Sequence, residues 1–126
     1  MQNFIAVFLG GGLGALLRYL VSLIAGRLIG IELPYATFII NITGSLFLGF
    51  VLALAFNKSV EPNHNLMIFL TVGLAGGFTT FSTYSYESLV LIRQGKLFQS
   101  ALYLFLSPAI GLISVYIASL LGRHYN

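Results

Sequence analysis

Gly73-Leu-Ala-Gly-Gly-Phe-Thr-Thr-Phe-Ser-Thr-Tyr-Ser85 sets three glycines and then five Ser or Thr hydroxyls in the middle of an otherwise apolar run from Leu66 to Ile92. Glycine costs a helix about 1 kcal/mol relative to alanine, so Gly76 and Gly77, followed by the helix-poor Phe78-Thr-Thr80, predict a break there. A break frees backbone N–H and C=O groups, and in hydrocarbon these must find partners inside protein or trapped water. Discontinuous helices at mid-membrane therefore line a site or a cavity. The alternative is a whole helix whose Ser and Thr hydroxyls bond to carbonyls one turn back.

Outward from this stretch the chain is lipid-like. Of its 126 residues 58% are hydrophobic and 7% are charged, against about 25% charged in soluble domains. A transmembrane helix needs about 20 mostly apolar residues. Four spans fit, at 4–29, 35–56, 66–92 and 98–122, in a single transmembrane domain over 1–126. The breaks between them are turn-forming: Gly30-Ile-Glu-Leu-Pro34, then 57–65 with Lys58, Glu61 and Pro62, then Arg93-Gln-Gly-Lys96. The leading apolar segment lacks a basic start and carries Arg18, so it is expected to stay in the mature protein. No internal repeat is visible.

Composition also excludes chemistry. With no cysteine, disulfides, thiolate metal sites and cysteine nucleophiles are absent. No nucleophile, base and metal constellation supports an enzyme. The net charge of +3 is too dispersed for a nucleic-acid patch. Loop Lys and Arg nearly cancel, with Lys58 and Arg123 on one side and Arg27, Arg93 and Lys96 on the other. A chain without charge bias can insert both ways and pair antiparallel with itself. Four mostly apolar spans enclose little, so a hydrated path is easier to build between subunits. The small residues Gly10, Gly11, Gly12, Gly14, Gly44, Ser45 and Gly49 allow close helix approach, within one subunit or between two.

Several side chains can serve an ion. Carbonyls freed near Gly76 and Thr79 are hard oxygen ligands suited to an alkali cation. Phe81, Tyr84 and Ser88 share one helical stripe, and Thr80, Thr83 and Glu87 the next. Aromatic rims are electropositive and hold a small anion weakly, with Ser82 and Thr83 as hydroxyl donors; the same aromatic spacing also fits ordinary packing. Asn41, mid-way along the second span, needs partners, either an anion or a neighbouring helix. In the fourth span Ser100, Tyr103, Ser107, Gly111, Ser114 and Ala118 form one small and polar face, a track or a packing seam, and Pro108 is expected to kink it. Arg18 either snorkels or pairs with a carboxylate, and Glu87 is a vestibule group or a partner for Arg18 or Arg93. His64 in a loop and His124 in the tail read as solvated surface.

Three blocks, Gly10-Gly-Gly-Leu-Gly-Ala-Leu-Leu-Arg-Tyr19, Asn41-Ile-Thr-Gly-Ser-Leu-Phe-Leu-Gly49 and Gly73-Leu-Ala-Gly-Gly-Phe-Thr-Thr-Phe-Ser-Thr-Tyr84, are similar to the signature blocks of the Fluc (CrcB) fluoride channels, in order and at fitting separations. The resemblance covers all four spans and is loosest in the fourth. It implies an all-α membrane protein of four helices per subunit, the third broken at mid-membrane, forming an antiparallel dual-topology homodimer. It further implies passive fluoride export across the cytoplasmic (inner) membrane through two pathways, with a central structural sodium ion held by the carbonyls of Gly76 and Thr79. Carried over by motif, Phe81 and Tyr84 face the anion, Asn41 donates to it, Ser82 and Thr83 lie in the polar track, and Glu87 points towards a vestibule. Arg18 matches the family arginine, with a structural or electrostatic role, and Tyr103 and Ser107 join the pathway from the fourth span. The family usually has Phe where this chain has Tyr84. The added hydroxyl either bonds the ion or turns to another partner.

Two rival readings differ in class. A four-helix multidrug antiporter needs an acidic residue in the first span, and this chain has none there. A non-transporting assembly subunit would use the glycines and polar faces for packing alone.

Overall fold

The computed structural model describes residues 1–56 and 62–124. Lys58, weighed above for orientation, lies outside the described residues, as do the side chains of Arg123 and His124. The described chain is helical: α1 (Gln2–Leu28), α2 (Tyr35–Ala55), α3 (His64–Ile68), a π-helical segment (Phe69–Ala75), α4 (Gly76–Phe78), α5 (Phe81–Arg93) and α6 (Leu97–His124). Four helical stretches are long and apolar enough to cross a membrane, the third being 64–93 with an interruption inside it. At about 1.5 Å per residue even the 21 residues of α2 reach across a hydrocarbon core of about 30 Å.

The connections follow the turn chemistry. Gly30 has φ +89° between α1 and α2 and Gly95 has φ +75° between α5 and α6, a region that side-chain-bearing residues avoid. At Gly95 the N–H bonds the Ile92 carbonyl at 3.0 Å and the Lys96 N–H bonds the Leu91 carbonyl at 2.9 Å, the paired bonds of a Schellman stop. Asn63 caps α3, its side chain accepting from the Leu66 N–H at 3.1 Å. His64 is thus the exposed first residue of a helix, not a loop residue.

The packing is pairwise. α2 lies most extensively against α6, while α1 lies against the π-helical segment and α4. Both seams close because glycines remove side-chain bulk. A Cβ on Gly49 would stand 2.6 Å from the Val115 carbonyl oxygen, and one on Gly10 would stand 2.5 Å from that of Phe69. α5 packs chiefly on α6 and only lightly on α2. Little is buried within one chain: 17% of residues in the most apolar windows of the first, third and fourth spans, and 28% in the second. Such surfaces are covered by lipid or by protein.

Candidate functional site

The third span is broken, but not at its glycines. Gly76 and Gly77 are helical, and the interruption falls at Thr79 (φ −77°, ψ 159°) and Thr80 (φ −149°, ψ 120°). The reason lies in packing. A Cβ on Gly77 would stand 2.5 Å from the Gly11 carbonyl oxygen and 2.9 Å from its Cα, so Gly77 serves the α1 contact. The β-branched threonines carry the extended backbone instead, as their stiff side chains favour. Thr80 then starts α5 as its N-cap, its hydroxyl oxygen accepting from the Thr83 N–H at 3.3 Å. Before the break, a π-helical turn carries Thr71, whose hydroxyl donates to the Met67 carbonyl at 2.7 Å.

Asn41 answers the accounting question the break raises. Its Oδ1 accepts from the Thr80 N–H at 2.8 Å and its Nδ2 donates to the Thr80 carbonyl at 3.0 Å. Both backbone groups of one extended residue at mid-span are thereby satisfied within the protein. Of the two partners open to Asn41, the neighbouring helix is the one observed: one N–H is committed to its backbone, and the other makes no hydrogen bond among the described residues. Thr79 turns its hydroxyl back to the Ala75 carbonyl at 3.0 Å, where its own N–H also bonds. Among the described residues, the carbonyls of Gly76 and Thr79 accept no hydrogen bond from the chain.

These groups line a cavity of about 560 Å³ formed by α2, the broken span and α6. Its wall includes Asn41, Gly76, Thr79, Phe81, Tyr84 and Ser107, and no charged side chain. Phe81 is 79% exposed on the open side, its ring centroid 5.7 Å from that of Tyr84. Tyr84 in turn stands 5.0 Å from Tyr103. Of the two courses open to the Tyr84 hydroxyl, it takes the second, donating to the Leu104 carbonyl at 2.7 Å, while the residue still lines the cavity. Ser82 lies beside the cap, its hydroxyl 3.3 Å from that of Thr80.

Two smaller cavities lie near it. One of about 250 Å³ holds Arg18 with Ser22, Thr37, Thr80 and Thr83, and no carboxylate lines it. The other, of about 410 Å³, is lined by Ser22, Glu32, Thr37, Thr83 and Glu87. Thr80 is common to the first and second, while Ser22, Thr37 and Thr83 are common to the second and third. Glu87 is held by hydroxyls, Thr37 donating to Oε1 at 2.8 Å and Tyr103 to Oε2 at 2.9 Å. Thr37 is a site residue absent from the motifs quoted above. Its signal was present in the four-residue spacing to Asn41, which puts both on one face of α2. In α6 the polar face divides: Ser100 is buried and donates to the Ser88 carbonyl at 3.0 Å, a packing bond, whereas Ser107 meets the large cavity.

The comparisons with known proteins point the same way. The family model for CrcB-like protein, Camphor Resistance (CrcB), matches residues 5–119. The chain belongs to the CrcB family. CrcB relatives run the full length of the chain. A "Fluoride-specific ion channel FluC" of Methylobacterium sp. (strain 4-46) is 46% identical over 126 residues, covering 100% of both chains. Proteins of the same name from Shewanella denitrificans and Bacteroides fragilis are 42% and 39% identical, covering 93% and 100% of this chain and the same shares of their own. All three blocks quoted above fall inside the CrcB match.

Proposed function

We propose that this chain is a fluoride-specific channel, passing fluoride passively out of the cell across the cytoplasmic membrane. The observation that carries the reading is the uncharged mid-span cavity built on the Thr79–Thr80 break and lined by Asn41, Phe81, Tyr84 and Ser107. A small, strongly hydrated anion needs donors to replace water, and donors that release it again. The spare N–H of Asn41, the Ser107 hydroxyl and the Phe81 and Tyr84 ring edges bind without a full positive charge. The start of α5 adds the positive end of a helix dipole at the same level. The names of the full-length relatives support fluoride as the ion.

The working unit is an antiparallel dual-topology homodimer with two pathways. Phe81 lies on the open side of a cavity that one chain does not close, and the loop charges give no preferred orientation. A structural sodium ion fits the break. The freed carbonyls of Gly76 and Thr79 would hold it, and a Cβ on Gly76 would meet nothing nearer than the Thr71 carbonyl oxygen at 3.8 Å, so the space beside Gly76 is open. When bound, it would supply a fixed positive charge at the break. Two carbonyls from one chain leave its shell incomplete, which again asks for a second copy. Ser82 and Thr83 belong to the polar track, Tyr103 and Glu87 lie at its vestibule end, and Arg18 supplies positive potential along it.

Purified protein in liposomes decides the reading. Fluoride-loaded vesicles with a potassium shunt, in sodium-containing buffer, should release fluoride to an electrode and retain chloride. No fluoride efflux overturns the assignment. Efflux that drives proton movement favours an antiporter instead.

A further inference from the structure

α6 runs unbroken from Leu97 to His124 although Pro108 sits inside it. A proline within a helix has no N–H to give to the carbonyl four residues back, and its ring crowds that carbonyl. In α6 the carbonyl so orphaned belongs to Leu104. Inside a membrane there is no water to satisfy it, so a donor must come from elsewhere in the protein. Tyr84 of α5 is that donor, its hydroxyl reaching the Leu104 carbonyl at 2.7 Å. The same ring lies 5.0 Å from Tyr103 and 5.7 Å from Phe81, and it lines the large cavity together with Pro108.

We infer that Tyr84 and Pro108 form one positioning device, in which the phenolic hydroxyl stands in for the amide proline lacks and pins the Tyr84 ring edge to the cavity wall. A phenylalanine is anchored only at its Cα end and is free to tilt. Tyr84 is anchored at both ends, through its backbone and through Oη. α5 leans chiefly on α6 and touches α2 only lightly, so this bond also fixes where the first turns of α5, with Phe81, stand relative to α6. Tyr84 at this position is therefore compatible with an anion path: its hydroxyl is spent on the fourth span while its ring lines the cavity.

The consequence for transport rests on the fluoride reading, and a double-mutant cycle separates the two. Tyr84→Phe strands the Leu104 carbonyl, while Pro108→Ala returns a backbone N–H four residues after it. Fluoride flux and thermal unfolding in detergent are measured for wild type, both single variants and Tyr84→Phe/Pro108→Ala. Tyr84→Phe is expected to lower both, and adding Pro108→Ala to restore flux by about twofold or more, the lower end of coupling between contacting groups. Flux in the double variant equal to the product of the single effects overturns the pairing. Flux lost by Tyr84→Phe only in proportion to folded protein overturns the positioning role. Coupling in unfolding with no fluoride flux in wild type removes the fluoride reading and leaves the pair standing.

Discussion

At the scale of single residues, the decisive pair is Asn41 and Thr80. One amide side chain satisfies both backbone groups of the extended residue that starts α5. Asn41→Leu is expected to leave two polar groups stranded in hydrocarbon and to destabilise the fold by about 2 kcal/mol or more, measured by unfolding in detergent. Phe81 is the opposite case. It is 79% exposed, so Phe81→Ile should abolish fluoride efflux while leaving the unfolding transition in place; unchanged efflux would refute the ring-edge mechanism. Asn41 was legible as a polar group needing a partner, because mid-membrane amides are expensive. Its partner was not legible, because residues 41 and 80 meet only when α2 and the third span are placed side by side.

At the scale of elements, Gly10 and Gly14 of the first span and Gly73 and Gly77 of the third act as a seam, not as breakers. A Cβ on Gly14 would fall on the Leu74 carbonyl and lie 2.8 Å from the Phe78 amide nitrogen, whereas Gly12 has nothing within 4 Å. Gly14→Ala should therefore destabilise by about 1–3 kcal/mol through overpacking against backbone that cannot yield. Gly12→Ala should be neutral to the fold of one subunit, and paired thermal melts check the contrast. This seam explains why the break sits beyond Gly76 and Gly77. Intrinsic propensity located it to within a turn, and contact with α1 moved it to the threonines. The spacing of Glu87 from Thr83 likewise placed it on a polar stripe, while its hydroxyl partners Thr37 and Tyr103 came from two other helices.

At the scale of the molecule, one chain presents apolar helices with few buried residues and a cavity with the exposed Phe81 in its wall. The proposed antiparallel pairing makes a direct prediction, and the absence of cysteine makes it clean to test. A cysteine introduced at Gln94, in the turn between α5 and α6, should be labelled by an impermeant maleimide from each side of the membrane in about half of the chains. Labelling from one side only would refute dual topology. Single-molecule photobleaching in bilayers should show two steps per active unit; one step would mean that a single chain suffices.

The sequence by itself determined the membrane class, the four spans, the odd character of the third and the family, since hydropathy and local motif are properties of contiguous residues. The tertiary structure decided where the third span parts, that Asn41 holds the parted backbone, that Glu87 rests on hydroxyls, and that Tyr84 turns its hydroxyl to Leu104. The last three join residues distant in the chain, because a part-buried polar group among apolar helices takes whatever partner their packing brings within reach.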